Sequence, residues 1–218
     1  LEWSDKGVQG VHKFLKRVWQ LAHTHADVLS DEAIIHKSDG GSPLDWDDAE
    51  PELKVLRREI YQLLQQATVD MAKSQFNTVA SACMKLSNSL QSVASFKSTS
   101  AFKNRLLFTG MSILLRVLSP IAPHIAQHIW KQLGFGQLIY KATWPKVLTK
   151  ALRTDDIEMM VQVNGKLRGK VTVPTDADNV TIETVALTDI KVKTHTADKK
   201  ILKVIVVPNK LVNIVVSD

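Results

Sequence analysis

Two of the seven histidines, His124 and His128, stand four residues apart, the spacing at which two imidazoles on one helix face can share a divalent cation. No glutamate follows the first in an H-E-x-x-H arrangement and no third ligand is evident, so the pair is read as structural. His23 and His25 would project to different sides of a helix and suggest a metal no better. The acidic run Asp45, Asp47, Asp48, Glu50 lacks the glycine and the distal bidentate glutamate that an EF-hand loop requires, and reads as a solvated loop. Cys83 is the only cysteine. Disulfides and cysteine-based zinc are thereby excluded, and with no base or cation on its helix face the thiol reads as a small core residue. The basic residues offer different chemistry. Lys13 and Arg17 are like charges at i, i+4, and so are Lys54 and Arg58. In an isolated helix such a pair costs about 0.2–0.5 kcal/mol, which a bound phosphate would convert to attraction. Lys16 and Arg57 extend the two clusters. Contacts of this kind position a nucleic acid without reading its bases.

Net charge is +6 over 218 residues, and its distribution says more than its size. Between Asp27 and Glu52 lie nine acidic residues and one basic residue, Lys37, whereas the rest of residues 1–150 carries 17 basic and four acidic ones. A basic body beside one acidic loop is the electrostatic footprint of a polyanion partner, although a solvated surface that keeps the protein in solution has the same composition. No apolar run approaches the roughly 20 residues of a membrane span, so no membrane partner is expected. The opening LEWSDKGVQG has neither a secretory signal nor an initiator Met. The chain is therefore expected to be a piece of a longer, cytoplasmic protein.

The elements that would carry these residues follow from periodicity. Val8, Val11, Phe14, Leu15, Val18, Trp19 and Ala22 predict a helix over residues 7–25 with those side chains inward. Residues 37–52 are rich in Gly, Pro and Asp and predict a loop. Pro51 suits the first turn of a helix to about Ser74. Asn77 or Thr78 can cap a third helix that buries Val79, Ala82, Cys83, Leu86 and Leu90. Ser98 to Ser100 can start a fourth, ending near Pro120. A fifth begins around Pro123 and stops at Gly134. Five such helices predict a mainly α helical bundle over residues 1–150. Lys141 to Thr154 is read as a linker. From about residue 155 the period becomes two, predicting a small α+β domain over 155–218 with two β-hairpins, at Asn164-Gly165 and around Pro208-Asn209, and helix within 178–196.

The first hairpin permits a register argument. A two-residue Asn-Gly turn would set Val163 opposite Lys166 and mix apolar with basic side chains on one face. A three-residue loop, with Gly165 left-handed, pairs Gln162 with Lys166 and Val161 with Leu167, sets Glu158 facing Lys170, and leaves Lys166, Arg168 and Lys170 together on the polar face. The second register is the expected one.

Five blocks in order then resemble one family. LEWSDKGVQGVHKFLKRVW (1–19) and LRREI (56–60) followed by Thr68, Asp70 and FNTVA (76–80), which includes Asn77, resemble the helical domain of bacterial leucyl-tRNA synthetases. LSPIAPHIAQHIW (118–130), with Pro120, Pro123, His124 and Trp130, resembles a block shared with the valyl and isoleucyl enzymes. VQVNGKLRGKVTVP (161–174) and VIVVPNKLVNIVV (204–216) resemble the C-terminal appendage of the leucyl enzyme. Tyr61 departs from a more usual His, and Asn209 from a frequent Gly. The resemblance implies a class I leucine–tRNA ligase, joining leucine to its tRNA with ATP and Mg²⁺. The HIGH and KMSKS signatures of its catalytic domain are absent here. This chain is expected to need no cofactor, to charge no tRNA alone, and to partner leucine-specific tRNA and a catalytic domain of the same polypeptide. The bundle would lie along the tRNA's inner face and anticodon stem, the small domain at its elbow. The rival readings are the matching part of a valyl or isoleucyl enzyme, and a non-enzymatic RNA- or protein-binding helical module.

Overall fold

Apolar residues recur at helical spacing through the first two thirds of the chain, and helices form there in the computed structural model, which describes residues 5–38, 44–153, 156–175, 177–196, 199–207 and 210–217. The helices are α1 (Asp5–Thr24), α2 (Ala26–Ser38), α3 (Pro51–Ala72), α4 (Phe76–Ser95), α5 (Ala101–Leu118) and α6 (Pro123–Gln132). They belong to the first of two compact units, Leu1–Leu152 and Arg153–Asp218. Among the described residues no helix is long and apolar enough to cross a membrane.

Local signals act where the side chains supply them. Ser100 caps α5, its hydroxyl accepting from the Lys103 amide at 3.4 Å. Ser98 and Ser100 both donate to the Glu50 carboxylate, at 2.7 and 3.2 Å, tying the start of α5 to the start of α3. The bond from Ser98, with lesser help from Ser100, holds that carboxyl below its ordinary pKa. Pro123 opens α6, and Gly134 beyond its end is left-handed at φ 74°, a conformation that suits glycine. α5 is the centre of the bundle, burying Leu106, Leu107, Met111, Ile113, Leu114 and Leu115. Gly110 lies where α5 meets its neighbours: a Cβ there would overlap Leu90 Cδ2 and press on Ile60 Cδ1.

Four expectations for the bundle need correction. A sixth helix, α2, occupies part of the acidic stretch. Its buried residues are Leu29, Glu32 and Ala33, while Ile34 and Ile35 are exposed, so it has no apolar stripe to read. Val8 and Val11 are 46% and 47% exposed, because α1 meets the core only from Phe14 onward. Asn77 does not cap α4, which starts one residue earlier with Gln75 at the cap and no side-chain bond; the chain reverses at Ser74, φ 56°, and Gln75 N–H closes onto the Asp70 carbonyl at 2.9 Å. Lys141 to Leu152 is no linker but a strap on the bundle. Its Trp144 indole N–H donates to Thr68 Oγ1 at 2.9 Å, and Ala151 is buried against the helical core.

The second unit is a four-stranded sheet with two helices. Its elements are β1 (Asp156–Val163), β2 (Lys166–Pro174), α7 (Asn179–Thr188), α8 (Ile190–Thr196), β3 (Ile201–Val207) and β4 (Leu211–Val216). The strand order is β2-β1-β4-β3. Each hairpin is antiparallel, and parallel pairing of β1 with β4 joins them. Ile182, Ala186 and Val192 of the helices pack with Met159, Val161, Val171, Val173, Val212 and Ile214, so one sheet face is covered. Pro208 and Asn209 lie outside the described residues.

The register of the first hairpin differs from the expected one. Val163 pairs with Lys166 and Gln162 with Leu167 across a two-residue turn, with φ 47° at Asn164 and 77° at Gly165. Positive φ at both central residues gives the turn whose twist matches the strands. The mixing of faces is then undone by a β-bulge: Val161 pairs with Gly169, leaving Arg168 as the extra residue. Beyond it Met159 faces Val171 and Ile157 faces Val173, so apolar partners coincide again. Leu167, expected inside, is 56% exposed.

Candidate nucleic-acid interface

The first basic cluster is on α1. Phe14, Val18, Leu21 and Ala22 face the core, so helical spacing turns Lys13, Lys16 and Arg17 outward, and all three are exposed. They have no partner among the described residues. Nearby, Trp19 lies between His23 and His128, each ring centroid 5.0 Å away. His128 is thus an aromatic neighbour of α1. His124 is exposed, and no group of three potential metal ligands occurs among the described residues.

The second cluster, on α3, is engaged within the protein. Lys54 Nζ donates to the Asp47 carbonyl at 2.9 Å. The Arg57 guanidinium lies 4.5 Å from the centroid of Trp46 and 5.7 Å from that of Tyr61, and burial lowers its pKa against the opposing pull of Tyr61 and Asp47. Arg58 is half-buried and also has a partner. Lys54 and Arg57 therefore hold the short 3₁₀ turn Trp46–Asp48 against α3.

The third cluster is on the first hairpin, and the bulge divides it. Lys166 begins β2 opposite Val163, on the side of the sheet that the helices cover, whereas Lys170 lies opposite Met160 on the open side. Lys170 pairs with Glu158 on that open face. Arg168 stands at the bulge, and all three cations are exposed. They do not form the continuous polar face that the other register would give. Asn164, expected at the turn, also bonds to β4: its side-chain amide donates to the Val216 carbonyl at 3.1 Å and accepts from the Val216 amide at 2.9 Å. Gly165 N–H adds a bond to Asn213 Oδ1 at 3.1 Å. The turn is thereby fastened to β4.

The open sheet face carries apolar side chains that the sequence did not disclose as a group. Met160, Leu211, Ile205 and Val207 share it through their cross-strand pairings, and Lys170 and Lys203 flank them. Met160, Ile205 and Val207 are each more than a third exposed.

The remaining candidates are structural or inert. Trp130 is buried and stacks on Phe135 at 5.0 Å, and Phe135 stacks on Phe108 at 4.8 Å. Pro120 is exposed just before α6. Burial pushes the Cys83 thiol up to about 12, far from a nucleophile's range.

Comparison with known proteins adds three findings. The family model described as the anticodon-binding domain of tRNA ligase matches residues 54–185. A leucine–tRNA ligase of Coxiella burnetii is 47% identical over 99% of this chain, and one of Legionella pneumophila is 43% identical over 100%. The chain spans about a quarter of the length of these curated relatives, 25% and 26%. Among solved structures, the LeuRS chain in the Agrobacterium radiobacter LeuRS–tRNA–LeuAMS ternary complex superposes with a TM-score of 0.73 at 26% identity, over 100% of this chain and 26% of that one.

Proposed function

The chain belongs to the family of anticodon-binding domains of tRNA ligases, and from that premise we propose that it is the tRNA-gripping part of a leucine–tRNA ligase. In this reading it binds leucine-specific tRNA for a catalytic domain on the same polypeptide, in the cytoplasm. The observation that carries the reading is the outward trio Lys13, Lys16 and Arg17 on a helix whose other face is core, in a chain that leucine–tRNA ligases match along nearly all of its own length. That identity favours leucine over valine or isoleucine. A protein-binding helical module would need a continuous apolar helix face; α1 exposes Val8 and Val11, but the exposed part of the helix goes on to three cations, Lys13, Lys16 and Arg17.

The grip divides between the two units. In the bundle, α1 offers exposed ammonium and guanidinium groups that need no rearrangement to meet phosphates. In the second unit the open sheet face offers apolar surface with cations at its edge, chemistry suited to the stacked, backbone-rich corner of a folded RNA. ATP and Mg²⁺ would act in the catalytic part of the longer enzyme, not on these residues. Fluorescence anisotropy of the 218-residue chain with labelled leucine tRNA tests the reading. If about four to six phosphates are neutralised, log K falls against log salt with a slope of about −3 to −5. A salt-independent affinity, or no binding at low salt, would refute it.

A further inference from the structure

The sheet of the second unit ends in two edge strands, β2 and β3, and they are guarded very differently. β2 presents Lys166, Arg168 and Lys170, is interrupted by the bulge at Arg168 and closes on Pro174, devices that keep an edge from pairing with another chain. β3 reads Ile-Leu-Lys-Val-Ile-Val-Val. Its only charge is Lys203, and its only irregularity is Leu202, unpaired between Ile201 and Lys203; both fall in its first half. From Val204 to Val207 it has no charge, no proline and no bulge. Ile205 and Val207 are exposed on the open face, while Val204 and Val206 turn toward the covered one.

The backbone of this segment is as open as its side chains. Lys210 N–H donates to the Val207 carbonyl at 3.1 Å, so the polar groups of Val207 point to the hairpin side. Along a strand the direction alternates from residue to residue, which turns the N–H and C=O of Val206 and Val204 away from β4. β3 pairs with β4 alone, and no other bond to these outward groups occurs among the described residues. Unpaired peptide groups on an extended apolar strand are a template for another strand. Symmetry identifies that strand. With β3 laid antiparallel on a second β3 and Ile205 at the two-fold axis, Val204 meets Val206 and exchanges both main-chain bonds with it. Ile205 then meets Ile205, and Lys203 meets Val207. The two Lys203 ammonium groups stay apart, each with its stem along a valine, and the irregular Leu202 falls outside the paired length. A strand that matches its own reversed copy in hydrogen bonds, side-chain character and charge makes an isologous contact. We propose that two copies of this chain pair edge to edge through β3, joining two four-stranded sheets into one and leaving the open face of each uncovered. The paired length is short, and a contact below about 1,200 Å² is a weak, reversible one.

Sedimentation velocity of the 218-residue chain, from micromolar to near-millimolar and without RNA, should show a reversible monomer–dimer equilibrium. Ile205→Lys sets two ammonium groups face to face across the axis, and Val206→Pro deletes an outward N–H. Each should raise the dimer dissociation constant at least about tenfold, and an unchanged far-ultraviolet circular dichroism spectrum verifies the fold. A cysteine tests the register without weakening the strand. Cys83 is buried, so an introduced cysteine is the accessible thiol. Opposite residues of a non-hydrogen-bonded antiparallel pair lie about 4.5 Å apart at Cα, within the roughly 4.4–6.8 Å reach of a disulfide. Under diamide, Ile205→Cys should therefore link into a covalent dimer. Lys203→Cys, whose counterpart lies well along the partner strand, should stay largely unlinked. A chain that remains monomeric throughout overturns the proposal. So does a dimer that both substitutions leave intact, or one that links as readily through Lys203→Cys as through Ile205→Cys. The tRNA reading survives each of these results.

Discussion

The clusters on α1 and α3 are nearly indistinguishable as sequence. Each holds a lysine and an arginine at i, i+4, with one more cation between them. As structure they diverge. On α1 the three side chains extend into water. On α3 the cations are drawn inward by what the preceding loop brings to the helix: a carbonyl from Asp47 for Lys54, and the Trp46 ring for Arg57. Spacing along a helix sets which face a cation occupies, but the partner that packs on that face decides whether the cation is available. A like-charge pair is accordingly evidence for a phosphate partner only where nothing internal has claimed it.

The largest effect that would sharpen this contrast is on RNA affinity. Reversing Lys13, Lys16 and Arg17 to Glu should weaken tRNA binding at least tenfold at low salt. It should also make the salt slope shallower by about three, roughly one for each phosphate no longer neutralised. Exposed substitutions typically change stability by about 0.5 kcal/mol or less, so the melting temperature should hold. If affinity survives the triple reversal, α1 does not touch the RNA, and the contrast with α3 loses its functional meaning.

Arg57→Ala should give the converse result. Its guanidinium lies over the Trp46 ring and is partly buried, so truncation removes a partly desolvated cation–π contact. A loss of about 1–2 kcal/mol is expected in denaturant unfolding. The affinity of the folded protein for tRNA should change less than in any single α1 reversal. Unfolding indistinguishable from that of the parent chain would show that the stack on Trp46 contributes nothing and that Arg57 is as available as Arg17.

What could be read in advance follows the same division between local and distant causes. Ser100, Pro123 and Gly134 act within a few residues of themselves, so the boundaries they set were legible. α2 was not, because its inward glutamate needs a partner 73 positions away: Glu32 is buried and paired with Arg105 at 2.8 Å. The strap looked like a linker for a similar reason, since Trp144 finds its hydrogen-bond acceptor on α3. At the first hairpin two true signals competed. Asn164-Gly165 called for a two-residue turn and the alternation of faces called for the other register. The chain satisfies both by inserting Arg168 as a bulge, which neither signal contains alone. Of the candidate interface, the outward placement of the α1 trio was legible from periodicity. The engagement of the α3 trio, the splitting of the hairpin cations and the apolar open face of the sheet all arise from pairings made on folding.

The bulge also sets the smallest expected effect. In the other register Arg168 would stand in a row with Lys166 and Lys170, and reversing it would break a shared phosphate-binding surface. In the observed register Lys166 starts on the covered side and Lys170 is already paired with Glu158, so Arg168 acts as a single cation. Arg168→Glu should therefore weaken tRNA binding only about two- to fivefold at low salt and make the slope shallower by about one. The melting temperature should be unchanged, because a bulge residue exposed on this strand has no cross-strand partner to lose. In the longer leucine–tRNA ligase proposed above, the same change should lower tRNA charging and spare leucine activation. Two measurements can break the contrast. A drop as large as that of the α1 triple reversal would mean that the hairpin, not α1, makes the main electrostatic contribution. No drop at all, with the slope intact, would leave the second unit's contribution to its apolar open face, where Met160 and Ile205 would become the next residues to change.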